Sequence, residues 1–313
     1  MKKQNPNYDQ LWKDVITDLF EEFLQFFSPD LSEEVDFTHS PQFLEQELKN
    51  IIPESNSNDR VADKLVKLKL KDGKEQWIYV HIEVQGDYQK DFSKRMFQSF
   101  YRILDRFDKK VYALALLAGE SAKYITNQFH YEFYGTKLTY EYNTYPIASQ
   151  SESTLLRSKN PFALAVLAGL YVLNSNKNIN MKYQYKLKLM RMLLQDKIEY
   201  KEIKREYIQK LFTFIDHIMR LPDEVDMKLV QEMKPIIEKE GKGMGLSLDD
   251  TSFAKFYRKE GLEEGLKKGK AEGEKQKAQE IAIKLLQKGE SIEDVSDTTG
   301  LSHEEIKSLI KPM

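Results

Sequence analysis

Apolar residues recur along this chain with two different periods, and the period decides what each segment forms. Over residues 8–27 (YDQLWKDVITDLFEEFLQFF), Trp12, Ile16, Leu19, Phe20, Phe23 and Phe27 fall three or four positions apart. That spacing lines one face of a helix and predicts a single amphipathic helix, closed by Ser28-Pro29. Residues 41–50 predict a second, short helix, with Pro41 at its start and Phe43, Leu44 and Leu48 on its apolar side. After the polar loop PESNSNDR the period drops to two. Val66, Leu68 and Leu70 alternate with charged residues, and Ile78, Val80, Ile82 and Val84 alternate with Trp77, Tyr79, His81, Glu83 and Gln85. An Asp-Gly pair lies between the two runs, so they predict a β-hairpin.

Residues 91–107 return to the helical period. VYALALLAG (111–119) is short and almost wholly apolar, which suits a buried strand. Residues 131–143 alternate aromatic and polar positions, as one long strand or a strand pair. From Pro161 the pattern is helical, at about 161–173, 180–196, 200–219 and 223–240. Strands followed by a run of helices predict an α/β domain with an all-α extension. The tail changes again. Gly261, Gly265, Gly269 and Gly273 recur every four residues among Lys and Glu, and two short amphipathic helices follow, separated by a Thr-Gly turn.

Strand phase places the candidate chemistry. The apolar face of the second strand is even-numbered, so Glu83 and Gln85 share the odd face, two residues apart. Asp63 lies on the odd face of the first strand. A strict two-residue turn at Asp72-Gly73 would set Asp63 opposite Ile82, on the wrong face. Pairing Asp63 with Glu83 requires an odd-numbered loop or a bulge. Two close carboxylates repel unless a cation lies between them or one is protonated. Two readings of the pair are open at this point: a divalent-metal site, or ordinary carboxylates on a wet sheet face. His81 shares the face of Glu83, as a proton-transfer group or as a structural histidine.

Composition narrows the chemistry. The chain has no cysteine, which excludes disulfides, thiolate zinc sites and cysteine nucleophiles. Its five histidines are scattered, so a bound metal is expected to be a hard cation such as Mg²⁺ or Mn²⁺. At 41% hydrophobic, 12% aromatic and 31% charged, the chain reads as globular. Its formal net charge is −2, so binding to a nucleic acid would need a local basic surface. No apolar run is long enough to span a bilayer, and no signal peptide is apparent; a cytoplasmic location is expected.

Taken in order, LWKDVITDLFEEFLQFF, FLEQELKNI, VADKLVKLKLKDGKEQWIYVHIEVQGD, FSKRMFQSFYRI and the glycine-repeat tail ending LLQKGESIEDVSDTTGLSHEEIKSL resemble the recombination-promoting nuclease / putative transposase (Rpn) family. That family lies within the PD-(D/E)XK nuclease superfamily. The resemblance covers nearly the whole chain, and HIEVQ followed by RMFQSFYRI is its most specific part. It implies a restriction-endonuclease-like core, a mixed sheet flanked by helices, over residues 1–150. A helical extension packed on that core (151–245), a glycine-repeat helical linker (246–280) and a helix-turn-helix-like segment (281–313) complete the expected organisation.

The resemblance also implies roles. Glu47 matches the helix carboxylate. Asp63 and Glu83 match the metal-binding carboxylates, with the backbone carbonyl of Val84 completing the coordination of Mg²⁺ or Mn²⁺. Gln85 stands where the superfamily pattern usually has Lys, and Ala62, before Asp63, stands where the superfamily name has Pro-Asp. The implied activity is hydrolysis of DNA phosphodiester bonds, linked to recombination or mobile elements. The alternative is a catalytically degenerate nuclease fold that binds DNA or protein. Arg95 and Gln98, at helical spacing with Arg102, and Lys64 are candidate phosphate contacts; a solvated helix face is the alternative for Arg102. Lys67 and Lys69 either add to these or solubilise the sheet. The tail glycines either permit helix–helix contact, a route to a homo-oligomer, or mark a solvated helical linker. The last segment, with Leu285, Leu286, Ile292, Val295, Leu301, Ile306 and Leu309 as its apolar set, is expected to pack or bind protein rather than read DNA.

Overall fold

The computed structural model describes residues 8–51, 62–71, 77–85, 90–175, 178–194, 204–241, 246–249 and 251–309. Within these, Asp63, residues 77–81, Glu83 and Gln85 are among those described by their backbone alone. The protein is mixed α/β with more helix than strand. It divides into two compact units, Met1–Ser252 and Phe253–Met313.

The first unit opens with helices α1 (Tyr8–Asp18), α2 (Phe20–Phe27) and α3 (Pro29–Glu34). The single helix expected over 8–27 is thus two. Leu19 leaves helical geometry (φ −120°, ψ 42°), although its N–H still donates to the Val15 carbonyl. Neither Gly nor Pro marks this bend. Trp12, Ile16, Leu19, Phe20 and Phe23 are all buried, so the break leaves both halves of the apolar stripe in the core. A new helix also starts at Pro29, where the first was expected to close. Pro fits the first turn of a helix because that N–H has no partner there anyway.

The helix expected from Pro41 begins later. Gln42–Phe43 forms a short strand, β1, paired with the next strand at Lys67 and Val66, and helix α4 is Glu45–Ile51. Edge pairing takes Phe43 out of the helix, and Pro41 is tolerated just before an edge strand. The hairpin follows as β2 (Ala62–Lys69) and β3 (Trp77–Gln85). Helix α5 (Phe92–Phe107) then leads to β4 (Val111–Leu117). Residues 128–141 form a ribbon, β5 (Gln128–Phe133) and β6 (Thr136–Glu141), before β7 (Asn143–Pro146). Of the two readings of 131–143, the strand pair holds. It turns at Tyr134-Gly135, both at positive φ, as a two-residue hairpin turn requires.

The main sheet has the order β1-β2-β3-β4-β7. Its first two pairings are antiparallel, and β3·β4 and β4·β7 are parallel. Both faces are covered. Val66, Leu68, Ile82 and Val84 are buried on the even face. There α1 meets β2 and β3, and Phe27 of α2 packs edge-on against Tyr145 of β7 at 4.6 Å. On the odd face Leu48 of α4 joins Leu65 and Ile103, while Phe92 and Met96 of α5 join Ala113, Ala115 and Leu117.

Helices α6 (Glu152–Arg157), α7 (Phe162–Ser175), α8 (Ile179–Leu194), α9 (Arg205–Ile218) and α10 (Asp223–Ile236) complete this unit. α7 is apolar almost all round and buried along most of its length, as a central helix must be. At Gly169 it passes so close to Trp12 that an added Cβ would lie 2.8 Å from the indole. A buried charge cluster ties α8, α9 and α10 together. Lys186, with no exposed surface, lies 2.8 Å from Asp216 and 2.9 Å from Asp226, and Ser252 donates to Asp216 through both its N–H and its hydroxyl.

The second unit holds helix α11 (Ser252–Gln287 as a whole), α12 (Ile292–Thr299) and α13 (His303–Leu309). Ala282, Val295, Leu301 and Ile306 form its core, with Leu285, Leu286, Ile292 and Leu309 packed around them. Gly300, at φ +69°, closes α12. Ser302 and Glu305 cap α13 reciprocally: the Glu305 N–H donates to the Ser302 hydroxyl, and the Ser302 N–H to the Glu305 carboxylate. Glu305 also pairs with Lys275 at 2.7 Å. Among the described residues no helix is long and apolar enough to cross a membrane.

Candidate active site

The antiparallel pairing of β2 with β3 fixes the position of the candidate carboxylates. Lys69 pairs with Trp77, and counting inward brings Asp63 directly opposite Glu83. Seven residues separate the paired strand ends, so the connection is odd-numbered, as the strand phases demanded. Directly opposed residues have their Cβ atoms roughly 4.5–5.5 Å apart, close enough for two carboxylates to share one cation. Gln85 follows two residues along on the same face of the pleat.

The neighbouring strand shapes the other side of this position. In the parallel pairing of β3 with β4, His81 lies beside Ala113, Glu83 beside Ala115 and Gln85 beside Leu117. Ala113 and Ala115 are buried on the odd face, whereas Leu114 and Leu116 fill the even one. Small residues therefore flank the Glu83 position exactly where the sheet is roofed by α5. The alternation of Ala with Leu in VYALALL carried this signal, but a uniformly apolar run hides it from a period count.

Helix α5 covers this end of the sheet because Phe92, Met96, Ser99 and Ile103 recur at four- and three-residue spacing and are buried together. Its two flanks differ. Phe97 and Phe100 meet the β5–β6 ribbon, at 5.3 Å to Phe129 and 4.7 Å to Tyr140. The opposite flank carries Arg95, Gln98 and Arg102, all half-buried. The Arg95 guanidinium lies 5.6 Å from the centre of the Phe92 ring. The ribbon's Phe129 and Tyr140 pack with Ala113, Ala115 and Leu117 of β4, so this polar flank is on the side of α5 away from the ribbon.

Glu47 is exposed on α4. The next residue, Leu48, is buried with Leu65, and the pleat puts positions 63 and 65 on one face. Glu47 is thus on the helix that covers the Asp63 face. Lys64 corrects the sequence expectation. It belongs to the even face, is 3% exposed, and its ammonium donates to Glu45 at 2.7 Å while lying 5.2 Å from the centre of the Phe43 ring. A lysine held in this way does not present its charge to a phosphate. Lys69 lies at the sheet's far end, 3.3 Å from His39. Among the described residues no three His, Asp or Glu side chains gather as a metal site; the side chains of Asp63, His81, Glu83 and Gln85 lie outside those residues.

Compared with family models, curated proteins and solved structures, the chain gives no match.

Proposed function

We propose that this chain is a metal-dependent DNA endonuclease of the PD-(D/E)XK type, as its resemblance to the Rpn family implies. One observation carries the reading: the register that sets Asp63 opposite Glu83, with Gln85 following on the same face. The order helix, antiparallel hairpin, crossover helix, parallel strand supports it, as does the carboxylate Glu47 on a helix covering that face.

The donor set fits Mg²⁺ or Mn²⁺. Asp63, Glu83 and the Val84 carbonyl offer hard oxygen ligands. A bound divalent cation supplies an activated water and neutralises charge on the phosphate under attack. Asp63 and Glu83 would hold that ion. Gln85 positions the attacking water through its amide. Arg95 and Gln98 steady a phosphate next to the scissile one. Hydrolysis then breaks a single P–O bond, leaving one strand end with the phosphate and the other with a hydroxyl.

A second reading rests on Gln85. Without a cation at that position the same fold serves as a DNA- or protein-binding module with little or no cutting. Incubating the full chain with supercoiled plasmid and Mg²⁺ or Mn²⁺ separates the two. Nicked or linear product supports the endonuclease; intact plasmid with retained DNA binding supports the module.

A further inference from the structure

The β5–β6 ribbon has two unlike faces. Gln128, His130 and Glu132 pair with Glu141, Thr139 and Lys137 on one. Two of its three pairs interact: Lys137 bridges to Glu132 at 2.9 Å, and His130 meets the Thr139 hydroxyl at 3.2 Å. The other face is Phe129, Tyr131 and Phe133 opposite Tyr140, Leu138 and Thr136. It bears no charge. Its inner end is core, because Phe129 stacks on Phe97 and Tyr140 packs on Phe100. Its outer end continues past α5 without cover. Tyr131 is 46% exposed and Phe133 60%. At the tip Tyr134 is 95% exposed and meets the Phe133 ring edge-on at 4.7 Å. Tyr101, also exposed, extends the stack from Phe97 on the helix.

Charge chooses the occupant. Between positions 90 and 110, on α5 and its flanking turns, seven Lys and Arg stand against three Asp, an excess of four positive charges in a chain of net charge −2. Lys94 and Arg106 are exposed, and among the described residues they make no ion pair. A neutral aromatic overhang beside a cationic helix fits a polyanion whose flat groups are free to stack. Duplex DNA hides its base faces; an unpaired strand presents them. Stacking on aromatic side chains is tolerant of sequence, since every base has a π-face.

We propose that Tyr131, Phe133 and Tyr134 form a base-stacking platform for single-stranded DNA, whose backbone crosses the outer face of α5 at Lys94 toward the far flank that carries Arg95 and Arg102. The proposal rests on the endonuclease reading for its purpose, which is to direct cutting toward DNA with unpaired bases. Binding itself is measured without metal, so the two readings fail separately.

The test is fluorescence anisotropy of the full chain in EDTA, with a short fluorescein-labelled oligonucleotide presented single-stranded or as a blunt duplex. The wild type binds the single strand more tightly. The Tyr131→Ala/Phe133→Ala variant loses that binding by about tenfold or more, the scale of one lost stacked base, and keeps its duplex affinity. Phe133→Leu, which preserves an apolar contact but removes the ring, moves the same way, whereas Phe133→Tyr binds like wild type. Unchanged single-strand binding in both ring-deleted variants overturns the platform. So does a wild-type dimer in sedimentation that the double variant makes monomeric with single-strand binding intact, because the overhang then covers a second copy. Ring-dependent binding by a wild type that cuts no plasmid keeps the platform and sinks the endonuclease.

Discussion

A glutamine amide donates and accepts hydrogen bonds but holds no charge. At position 85 it lies on the face shared by Asp63 and Glu83. A charge-assisted hydrogen bond exceeds a neutral one by roughly 1 kcal/mol, so Gln85→Lys is expected to raise the cleavage rate about fivefold. Single-turnover kinetics on plasmid checks this; an unchanged or lower rate means that Gln85 is not near the reacting phosphate. Much of this residue-scale picture was readable in the sequence. Period two alone gave the faces, and face parity alone demanded the odd loop. What parity does not reveal is burial of a charged residue. Lys64 looked like any strand lysine, yet an edge strand and the carboxylate of Glu45 close over it. Such partners come from nineteen positions away and leave no local trace.

The buried cluster around Lys186 is another residue-scale feature that no local pattern announces. Burial pushes Asp216 up, but Lys186 and the two hydrogen bonds from Ser252 outweigh it and hold the carboxyl below its ordinary value. At Asp226 burial is the larger effect, and despite Lys186 the carboxyl is raised. The signs therefore oppose. The Asp216 contribution to stability is present above the ordinary carboxylate value and is lost as pH falls through its depressed one. Asp226 costs stability as pH rises through its raised one. Asp216→Asn strips the buried ammonium of its better partner and is expected to cost about 3–5 kcal/mol at neutral pH, whereas Asp226→Asn costs far less. Urea unfolding at pH 7 distinguishes them, and equal losses contradict this division of labour.

At the scale of elements, helix type and order were legible because amphipathic stripes are long, while ends and breaks were not. Leu19 bends the first helix with no Gly or Pro, since packing of both halves decides it rather than local propensity. Gln42–Phe43 pairs as a strand because an edge of β2 is open there, which is a fact about the sheet and not about those two residues. Close approach of helices is equally non-local. In α7, Gly169→Ala gains helix propensity of about 1 kcal/mol but drives a methyl into Trp12, and a net loss of about 1–2 kcal/mol is expected from overpacking. The tail glycines give the opposite result. Outside its own helix backbone, a Cβ at Gly261, Gly265, Gly269 or Gly273 meets nothing within 4 Å among the described residues, so Gly265→Ala is expected to stabilise α11 by about 1 kcal/mol. Thermal unfolding followed by circular dichroism reads both signs. Loss of a concentration-dependent oligomer in Gly265→Ala would instead place these glycines at a contact between copies.

In the second unit, Lys275 and the Ser302 hydrogen bonds depress the Glu305 carboxyl to about 2. Its contribution is fully present above the ordinary carboxylate range and is lost as pH falls toward 2. Helical content of this unit is accordingly expected to drop across that acid window, and to drop at higher pH in Lys275→Ala.

For the whole molecule, near-neutral total charge conceals an uneven distribution. Seven Lys and Arg gather on and around α5 against three Asp, so DNA affinity is expected to fall steeply with salt despite a net charge of −2. The central claim concerns that face. Its most direct test is plasmid cleavage in Mg²⁺ by the wild type beside Asp63→Ala and Glu83→Ala, each shown to be folded. The account predicts nicking by the wild type and a loss of about a hundredfold or more in either variant, the scale of removing a group that stabilises the transition state. Equal cutting by all three would contradict it.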